Sequence, residues 1–104
     1  MEEKVIAGVK VKVNEEGYME DPTQWTPDIA KEIASEIGIE LTDKHFKVLE
    51  YLRDQHAKEQ TLTIRKVGKS GVVANIKELY TLFPKGPLKF SSKIAGIPKP
   101  ASCV

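Results

Sequence analysis

The chain has 104 residues, of which 40% are hydrophobic and 30% charged, and its formal net charge is +1. This length predicts one domain with a single core, and no apolar run approaches the roughly 18 residues of a membrane span. With no apolar signal region behind the N-terminus and a single cysteine, which excludes an internal disulfide framework, we expect a cytoplasmic protein.

The charge is distributed unevenly along the chain. Residues 1–60 contain 8 basic and 14 acidic side chains, whereas residues 61–104 contain 8 basic side chains and one acidic side chain, Glu78. Such asymmetry is typical of proteins that bind an acidic partner, a nucleic acid or an anionic ligand. The alternative is that the lysines only keep a surface segment solvated.

The first predicted element is a small β-hairpin. Val9, Val11 and Val13 alternate with lysines, which is the period-two pattern of a half-buried strand, and residues 5–7 form a short apolar segment before Gly8. Gly8 is therefore the candidate turn between two strands. Because an isolated hairpin is only marginally stable, the helices that follow are expected to hold it.

Two helices are predicted next. Thr26 is a natural N-cap before Pro27, and apolar residues then recur every four positions up to Gly38, which ends the first helix. Thr42 caps a second helix that has an apolar stripe along one face. Trp25 precedes the first helix and is expected to pack the start of that helix against the core.

The basic half of the chain contains two further predicted helices. A third helix starts within residues 61–67 and stops at Gly68, and Asn75 with Glu78 has capping-box spacing for a fourth helix that stops at Pro84. Together they have the pattern of a helix-turn-helix. The predicted fold class is mostly α (α+β), with a small N-terminal β-hairpin, a helical core with a helix-turn-helix-like arrangement, and an extended C-terminal arm.

The C-terminal segment has a different composition. Pro98 and Pro100 lack backbone donors and disfavour helical angles in the preceding residue, and Gly96 adds a flexible joint. At about 3.1 Å per residue, the eight residues that end at Cys103 reach roughly 25 Å. A thiol on such an arm indicates transfer of a chemical group between proteins, whereas the alternative is a frayed terminus with an unreactive cysteine.

Within this single domain, residues 1–90 are predicted to form a helical body with the N-terminal hairpin, and residues 91–104 a mobile arm that carries the cysteine. The carboxylate of Val104 lies one residue from Cys103, and a like charge disfavours the thiolate form. Cations close to the arm would offset this effect.

Five segments and the penultimate cysteine carry a resemblance to a known family. They are residues 28–30, 38–42, 51–54, 79–87 and 93–100, together with Cys103. On these segments the chain resembles the DsrC/TusE family, which includes the small gamma protein associated with dissimilatory sulfite reductase and the sulfur-relay protein of tRNA thiolation. The resemblance extends over nearly the whole chain and implies a helical fold with a helix-turn-helix-like core and a small hairpin.

The resemblance implies a sulfur carrier. Cys103 would accept sulfane sulfur as a persulfide from an upstream sulfurtransferase and pass it to a tRNA 2-thiouridylase or to a sulfite-reductase-type complex. Nucleic acid would be reached only through a partner, no cofactor or metal is implied, and the chain would be an enzyme only in the sense that sulfurtransferases are counted as such. Gly96, Pro98 and Pro100 would shape the arm for a partner's site.

Three cations are candidate contacts for the arm's carboxylate or persulfide: Arg65, Lys93 and Lys99. Arg65 belongs to the body and would receive the arm when it folds back. Each of the three is otherwise an ordinary solvated side chain.

The resemblance also draws attention to Ser92. Redox-active members of the family carry a second cysteine eleven positions before the penultimate one, which is position 92 in this chain. A native serine there implies a single-cysteine carrier of the TusE type, without an intramolecular redox cycle. A serine that replaces a natural cysteine would imply the two-cysteine branch.

Two other functions remain open at this point. One is a helix-turn-helix DNA-binding or regulatory protein in which Cys103 is incidental. The fourth helix is mostly apolar, however, and offers few polar side chains to base edges. The other is a non-catalytic subunit that docks by its arm and uses the thiol only for contact.

Overall fold

The computed structural model of the protein describes residues 2–99, which contain one two-stranded sheet and five α-helices. The strands are β1, Glu2–Ile6, and β2, Val9–Val13, and the helices are α1, Pro27–Ile37; α2, Asp43–Ala57; α3, Ile64–Lys69; α4, Ile76–Leu82; and α5, Pro87–Ile94. The predicted fold class, mostly helical with a small N-terminal hairpin, is confirmed. Over the same residues, no helix has both the length and the apolar character needed to cross a bilayer.

The hairpin turns at Ala7 and Gly8. The two strands pair antiparallel, and both turn residues have positive φ (51° and 78°), which is the geometry of a two-residue hairpin turn. Val11 and Val13 are buried, whereas Lys12 between them is exposed. The alternation in the sequence therefore identified the buried face of β2 at Val11 and Val13, whereas Val9 at the start of the strand is exposed.

Helices α1 and α2 begin at the predicted caps. The Thr26 hydroxyl accepts a hydrogen bond from an amide in the first turn of α1, and α1 ends at Gly38, whose φ is 95°. At the start of α2, the imidazole of buried His45 accepts a hydrogen bond from the Thr42 amide at 3.1 Å, and its other ring nitrogen lies 2.8 Å from the Leu82 carbonyl oxygen. His45 thereby joins the start of α2 to the end of α4.

Buried side chains from both strands and all five helices form the core. Among them are Ile6, Val11, Ile29, Leu49, Val67, Leu79 and Leu88. Helices α3 and α4 pack closely at Gly68, where a Cβ atom would come within 2.5 Å of Cγ1 of Ile76. The absence of a side chain at Gly68 thus allows the approach of these two helices, which form the predicted helix-turn-helix-like pair.

The sequence patterns did not predict α5. Gly86 and Pro87 have the appearance of helix breakers, but proline is favoured at the first position of a helix, where its missing amide has no partner to lose, and α5 begins at Pro87. The helix continues past residue 91, where the C-terminal arm was predicted to begin, and ends at Ile94. Because Ile97 is also buried, the chain stays packed against the body beyond the end of α5, as far as residue 97.

Candidate functional site

The segment that leads from α5 towards the cysteine is the candidate site. We call residues 94–99 the arm root. Ile94 and Ile97 are buried, whereas Pro98 and Lys99 are exposed, so the chain leaves the body between residues 97 and 98. Three residues for which predictions were made lie outside the described residues: Pro100, Cys103 and Val104. What was predicted for them stays a prediction.

Trp25 and Arg53 hold the arm root through its carbonyl groups. Trp25 Nε1 donates a hydrogen bond to the Ile94 carbonyl at 2.8 Å, and Arg53 Nη1 donates one to the Ala95 carbonyl at 2.9 Å. Arg53 Nη2 donates a third to the Pro22 carbonyl at 3.0 Å. The first two bonds satisfy the carbonyl groups of Ile94 and Ala95, which have no partner inside α5 because they lie at its C-terminal end.

Arg53 also lies against the face of Trp25. Its Cζ atom is 4.3 Å from the centroid of the indole ring, which is the geometry of a cation–π interaction. Burial lowers the pKa of the Arg53 guanidinium from its ordinary value, but arginine in a protein stays protonated. A permanent charge therefore lies half-buried beneath the arm root and is satisfied by backbone carbonyls and an aromatic face.

Gly96 makes the contact between the arm root and Trp25 possible. Its φ is +71°, and a Cβ atom at this position would come within 2.4 Å of Cδ1 of Trp25. The backbone therefore passes directly over the indole ring. Gly96 was expected to be a flexible joint, whereas in the structure it is a position of close approach.

Lys93 and Lys99 lie beside the turn that follows β2. Lys99 Nζ forms an ion pair with Glu16 at 2.8 Å, and a Cβ atom at Gly17 would come within 2.9 Å of Cε of Lys93. Arg65 is exposed on α3 and forms no ion pair among residues 2–99. The structure thus places two of the three predicted cations near one turn, and the third on the pair of helices α3 and α4.

The Glu16–Lys99 ion pair predicts a pH dependence of the contact between the arm root and this turn. The hydrogen bond from Lys99 lowers the pKa of the Glu16 carboxyl below its ordinary value of 4.5. A lowered carboxyl pKa means that the contact is fully present above pH 4.5 and is lost as the pH falls through the lowered pKa. An NMR titration of the Glu16 side chain measures this pKa, which we expect Lys99→Gln to raise towards 4.5.

The matched control for this titration is Lys10→Gln, which removes an exposed lysine from the hairpin. It is expected to leave the Glu16 titration unchanged. If Lys99→Gln also leaves it unchanged, Lys99 does not pair with Glu16 in solution.

Ser92 lies in the interior beside the arm root. Its side chain is fully buried on α5, and its hydroxyl has no hydrogen-bond partner within the described part of the chain. The neighbouring Ser91 is equally buried, but its hydroxyl donates to the Leu88 carbonyl at 3.2 Å. A buried hydroxyl without a partner is unfavourable, so the site at position 92 suits a less polar side chain better.

Ser92→Ala is expected to increase the free energy of unfolding by about 1 kcal/mol, because a buried, unsatisfied polar group costs about 1–3 kcal/mol and the lost packing is small. Ser92→Cys, measured under reducing conditions, is expected to stabilise by a similar amount, since a buried thiol behaves as a small hydrophobe. Denaturant unfolding measures both changes.

Ser91→Ala is the control for Ser92, with the same helix, side chain and burial but a satisfied hydroxyl. It is expected to be neutral or slightly destabilising. Equal destabilisation by both alanine substitutions would show that the Ser92 hydroxyl has a partner in solution.

Sequence reasoning did not identify Arg53 as a site residue. It appeared only beside Leu52 on the apolar stripe of the second helix and within residues 51–54 of the family resemblance. An arginine next to the buried Leu52 and one turn from Leu49 is nevertheless a signal of a buried cation with specific partners. Trp25 was expected to pack the start of α1 against the core. It does lie there half-buried, but its indole nitrogen is committed to the arm root.

The chain is similar in sequence to one protein family and to a group of named proteins. The family described as DsrC like protein matches residues 5–104. Sulfurtransferase TusE of Salmonella typhimurium and that of Escherichia coli are each 36% identical to the chain over 107 aligned residues, which cover 96% of this chain and 98% of the relative.

Solved structures share the fold. The solution structure of Allochromatium vinosum DsrC has a TM-score of 0.86 at 32% identity and covers 98% of this chain and 97% of its own. The crystal structure of the oxidized gamma subunit of dissimilatory sulfite reductase (DsrC) from Archaeoglobus fulgidus has a TM-score of 0.82 at 34% identity, with coverage of 99% and 100%. From the family match over residues 5–104 and these near-complete alignments, we conclude that the chain belongs to the DsrC family.

Proposed function

We propose that the protein is a sulfur-relay protein that carries sulfane sulfur as a persulfide on Cys103. The observation that supports this most strongly is the 36% identity with proteins named sulfurtransferase TusE over 96% of the chain. The structure supports it further, because Trp25 and Arg53 fix the arm root on the body and so define where the terminal segment leaves it. The residues beyond the arm root then act as the mobile arm that carries the thiol.

The chemistry consists of two thiol–persulfide exchanges. The Cys103 thiolate attacks the terminal sulfur of a donor persulfide, the donor S–S bond breaks, the donor thiolate leaves, and a persulfide forms on Cys103. A thiolate of the acceptor then attacks the terminal sulfur of that persulfide, which restores the Cys103 thiolate. Each exchange moves one sulfane sulfur without a net change in electrons, so no external oxidant or reductant is required.

The residues of the arm and its surroundings have distinct roles in this proposal. Pro98 and Pro100 keep the arm extended, and Gly96 sets its direction over Trp25. Lys93 and Lys99 lie on the side where the arm leaves the body and offset the negative charge of the thiolate and of the terminal carboxylate. Arg65 receives the same groups when the arm folds back against the body.

The names of the relatives support the choice of partners. An upstream sulfurtransferase supplies the sulfur, and the acceptor is a tRNA-thiolating enzyme or a sulfite-reductase-type complex, since one neighbour at a TM-score of 0.84 is a chain of dissimilatory sulfite reductase I. The single cysteine suits a reducing compartment, and we place the protein in the cytoplasm. The DNA-binding alternative is not favoured by the family match or by the named relatives.

Intact-protein mass spectrometry tests the carrier chemistry. After incubation with a cysteine desulfurase, cysteine and a sulfurtransferase, the full chain is expected to gain the mass of one sulfur atom, and Cys103→Ser is expected to abolish the gain completely. If there is no gain while the thiol of the untreated protein is still alkylated normally, the carrier proposal is wrong.

The rate of loading in the same assay tests the cations. Lys93→Ala and Arg65→Ala are expected to slow loading, because the thiolate would lose a neighbouring positive charge. Lys10→Ala, on the exposed face of β2, is the matched control and should load at the wild-type rate. Loading at the wild-type rate by both test variants would remove these two residues from the mechanism.

A further inference from the structure

A groove lies between α3, the loop that follows it and the start of α4. It has a volume of about 580 Å³, and its lining includes Gly68, Val73 and Ile76 together with Lys69 and Lys77. No residue of this lining belongs to the arm root. The groove is therefore a separate surface of the body.

The exposed face of α4 continues the apolar surface of the groove. Ile76 is 36% exposed and Tyr80 is 45% exposed, and residues four apart lie on the same face of a helix. Single exposed hydrophobic residues are ordinary, but two on adjacent turns beside an apolar groove form a patch of the kind that marks interaction sites. We call the groove together with these two side chains the α3–α4 surface.

The charge of the α3–α4 surface has one sign. Lys69 and Lys77 form no ion pair with any residue in the range 2–99. The adjacent Glu78 has both of its carboxylate oxygens engaged, one by Lys44 and the other by the Ala74 amide at 2.8 Å. Glu50 lies on a neighbouring pocket that shares Gly71, Val73 and Ala74 with the groove, but it does not line the groove itself. The lining of the groove therefore contributes two cations beside an apolar centre and no carboxylate.

The shape of the surface is set by packing. Ile76 lies so close to Gly68 that a Cβ atom on Gly68 would come within 2.5 Å of Cγ1 of Ile76. Asn75 caps α4, because its side chain accepts a hydrogen bond from the Glu78 amide at 3.0 Å. A surface fixed in this way loses little conformational freedom when a partner binds, and pre-organisation of this kind favours affinity.

We propose that the α3–α4 surface docks an acidic segment of the partner protein that exchanges sulfur with Cys103. The partner would place an apolar side chain in the groove and carboxylates opposite Lys69 and Lys77. This inference rests on the proposed function for the identity of the partner. Docking of the body there makes delivery by the arm an intramolecular event, which raises the effective concentration of the thiol at the partner's site.

A protein fits this surface better than a nucleic acid does. Helix α3 has six residues and α4 has seven, and the exposed face of α4 presents Ile76 and Tyr80 where a recognition helix presents several polar groups to base edges. An apolar centre with a charged rim is the usual anatomy of a protein interface.

The experiment compares the molecule that lies against Tyr80 with the protein that exchanges sulfur with Cys103. In cells that express the full chain, p-benzoylphenylalanine replaces Tyr80 and is photo-cross-linked to whatever molecule lies against it. In a separate experiment, the partner of the arm is trapped as a mixed disulfide with Cys103. The same protein is expected in both adducts. A nucleic acid at position 80, no adduct there, or a protein different from the one trapped through Cys103 would each overturn the proposal.

Binding of the trapped protein, once purified, gives the second readout. Tyr80→Ser and the double variant Lys69→Glu/Lys77→Glu are expected to raise the Kd at least tenfold, and the wild-type Kd is expected to rise with salt more steeply than that of the double variant. The matched control is Val9→Ser with Lys10→Glu, an exposed apolar and basic pair on the hairpin, which should change the Kd less than twofold. Equal effects of the two sets would overturn the proposal.

An assay of sulfur loading distinguishes failure of this inference from failure of the proposed function. The α3–α4 variants are expected to gain one sulfur from an inorganic polysulfide at the wild-type rate, because a small donor requires no docking. If the wild-type protein gains no sulfur, the result counts against the carrier chemistry alone. If the variants gain sulfur normally and also bind the partner with an unchanged Kd, the result counts against the docking surface alone.

Discussion

Gly96→Ala is expected to lower the free energy of unfolding by about 3 kcal/mol. The φ of +71° costs an L-residue about 1 kcal/mol relative to glycine, and the new Cβ atom would come within 2.4 Å of Cδ1 of Trp25, an overlap that typically costs about 1–3 kcal/mol to relieve. Denaturant unfolding at neutral pH measures the change. The rate of sulfur transfer is expected to fall as well, because relief of the overlap redirects the arm.

Gly8→Ala separates the two contributions. Gly8 has a φ of +78°, almost the same as that of Gly96, but nothing lies within 4 Å of the position that a Cβ atom would take. It should therefore lose only the backbone contribution of about 1 kcal/mol. Equal losses at the two positions would mean that the arm root does not pass over Trp25 in solution.

Arg53→Met is expected to lower the free energy of unfolding by a similar amount, about 3 kcal/mol. The substitution keeps the length of the side chain but removes two hydrogen bonds from a charged donor, each worth about 1.5–3 kcal/mol when measured singly, and the contact with the Trp25 ring. Apolar packing of the methionine offsets part of the loss. Arg53→Lys should recover only a small part, because an ammonium group cannot reach both carbonyls in the fork geometry of arginine.

Arg65→Met is the matched control for this prediction. Arg65 is exposed and forms no ion pair among residues 2–99, so its substitution should change stability by no more than about 0.5 kcal/mol. A loss at Arg53 as small as that at Arg65 would show that the bonds to the Pro22 and Ala95 carbonyls contribute nothing in solution.

The predictable part of the fold was the part encoded by local patterns. The alternation in β2 and the caps at Thr26 and Thr42 act within a few residues, so the sequence was sufficient to place the hairpin, α1 and α2. Helix α5 was missed because no element was assigned between Pro84 and the C-terminal segment. Its stability comes from burial of Leu88 and Ile94 in the assembled core, which is a tertiary effect.

The candidate site was only partly predictable for the same reason. The cysteine, the prolines and Gly96 were identified from composition and from the family resemblance. The contacts of Trp25 and Arg53 with the arm root join residues 69 and 42 positions apart, so they depend on the assembled fold. The orphan hydroxyl of Ser92 is likewise visible only once α5 is placed in the core.

The position of Trp25 has a practical consequence for spectroscopy. It is the one tryptophan in the chain, and its indole contacts Gly96, the Arg53 guanidinium and the Ile94 carbonyl. Its fluorescence emission therefore originates at the junction between the body and the terminal segment. The protein thus carries its own optical probe at this junction, through which displacement of the segment by a partner can be followed in stopped-flow experiments without any attached dye.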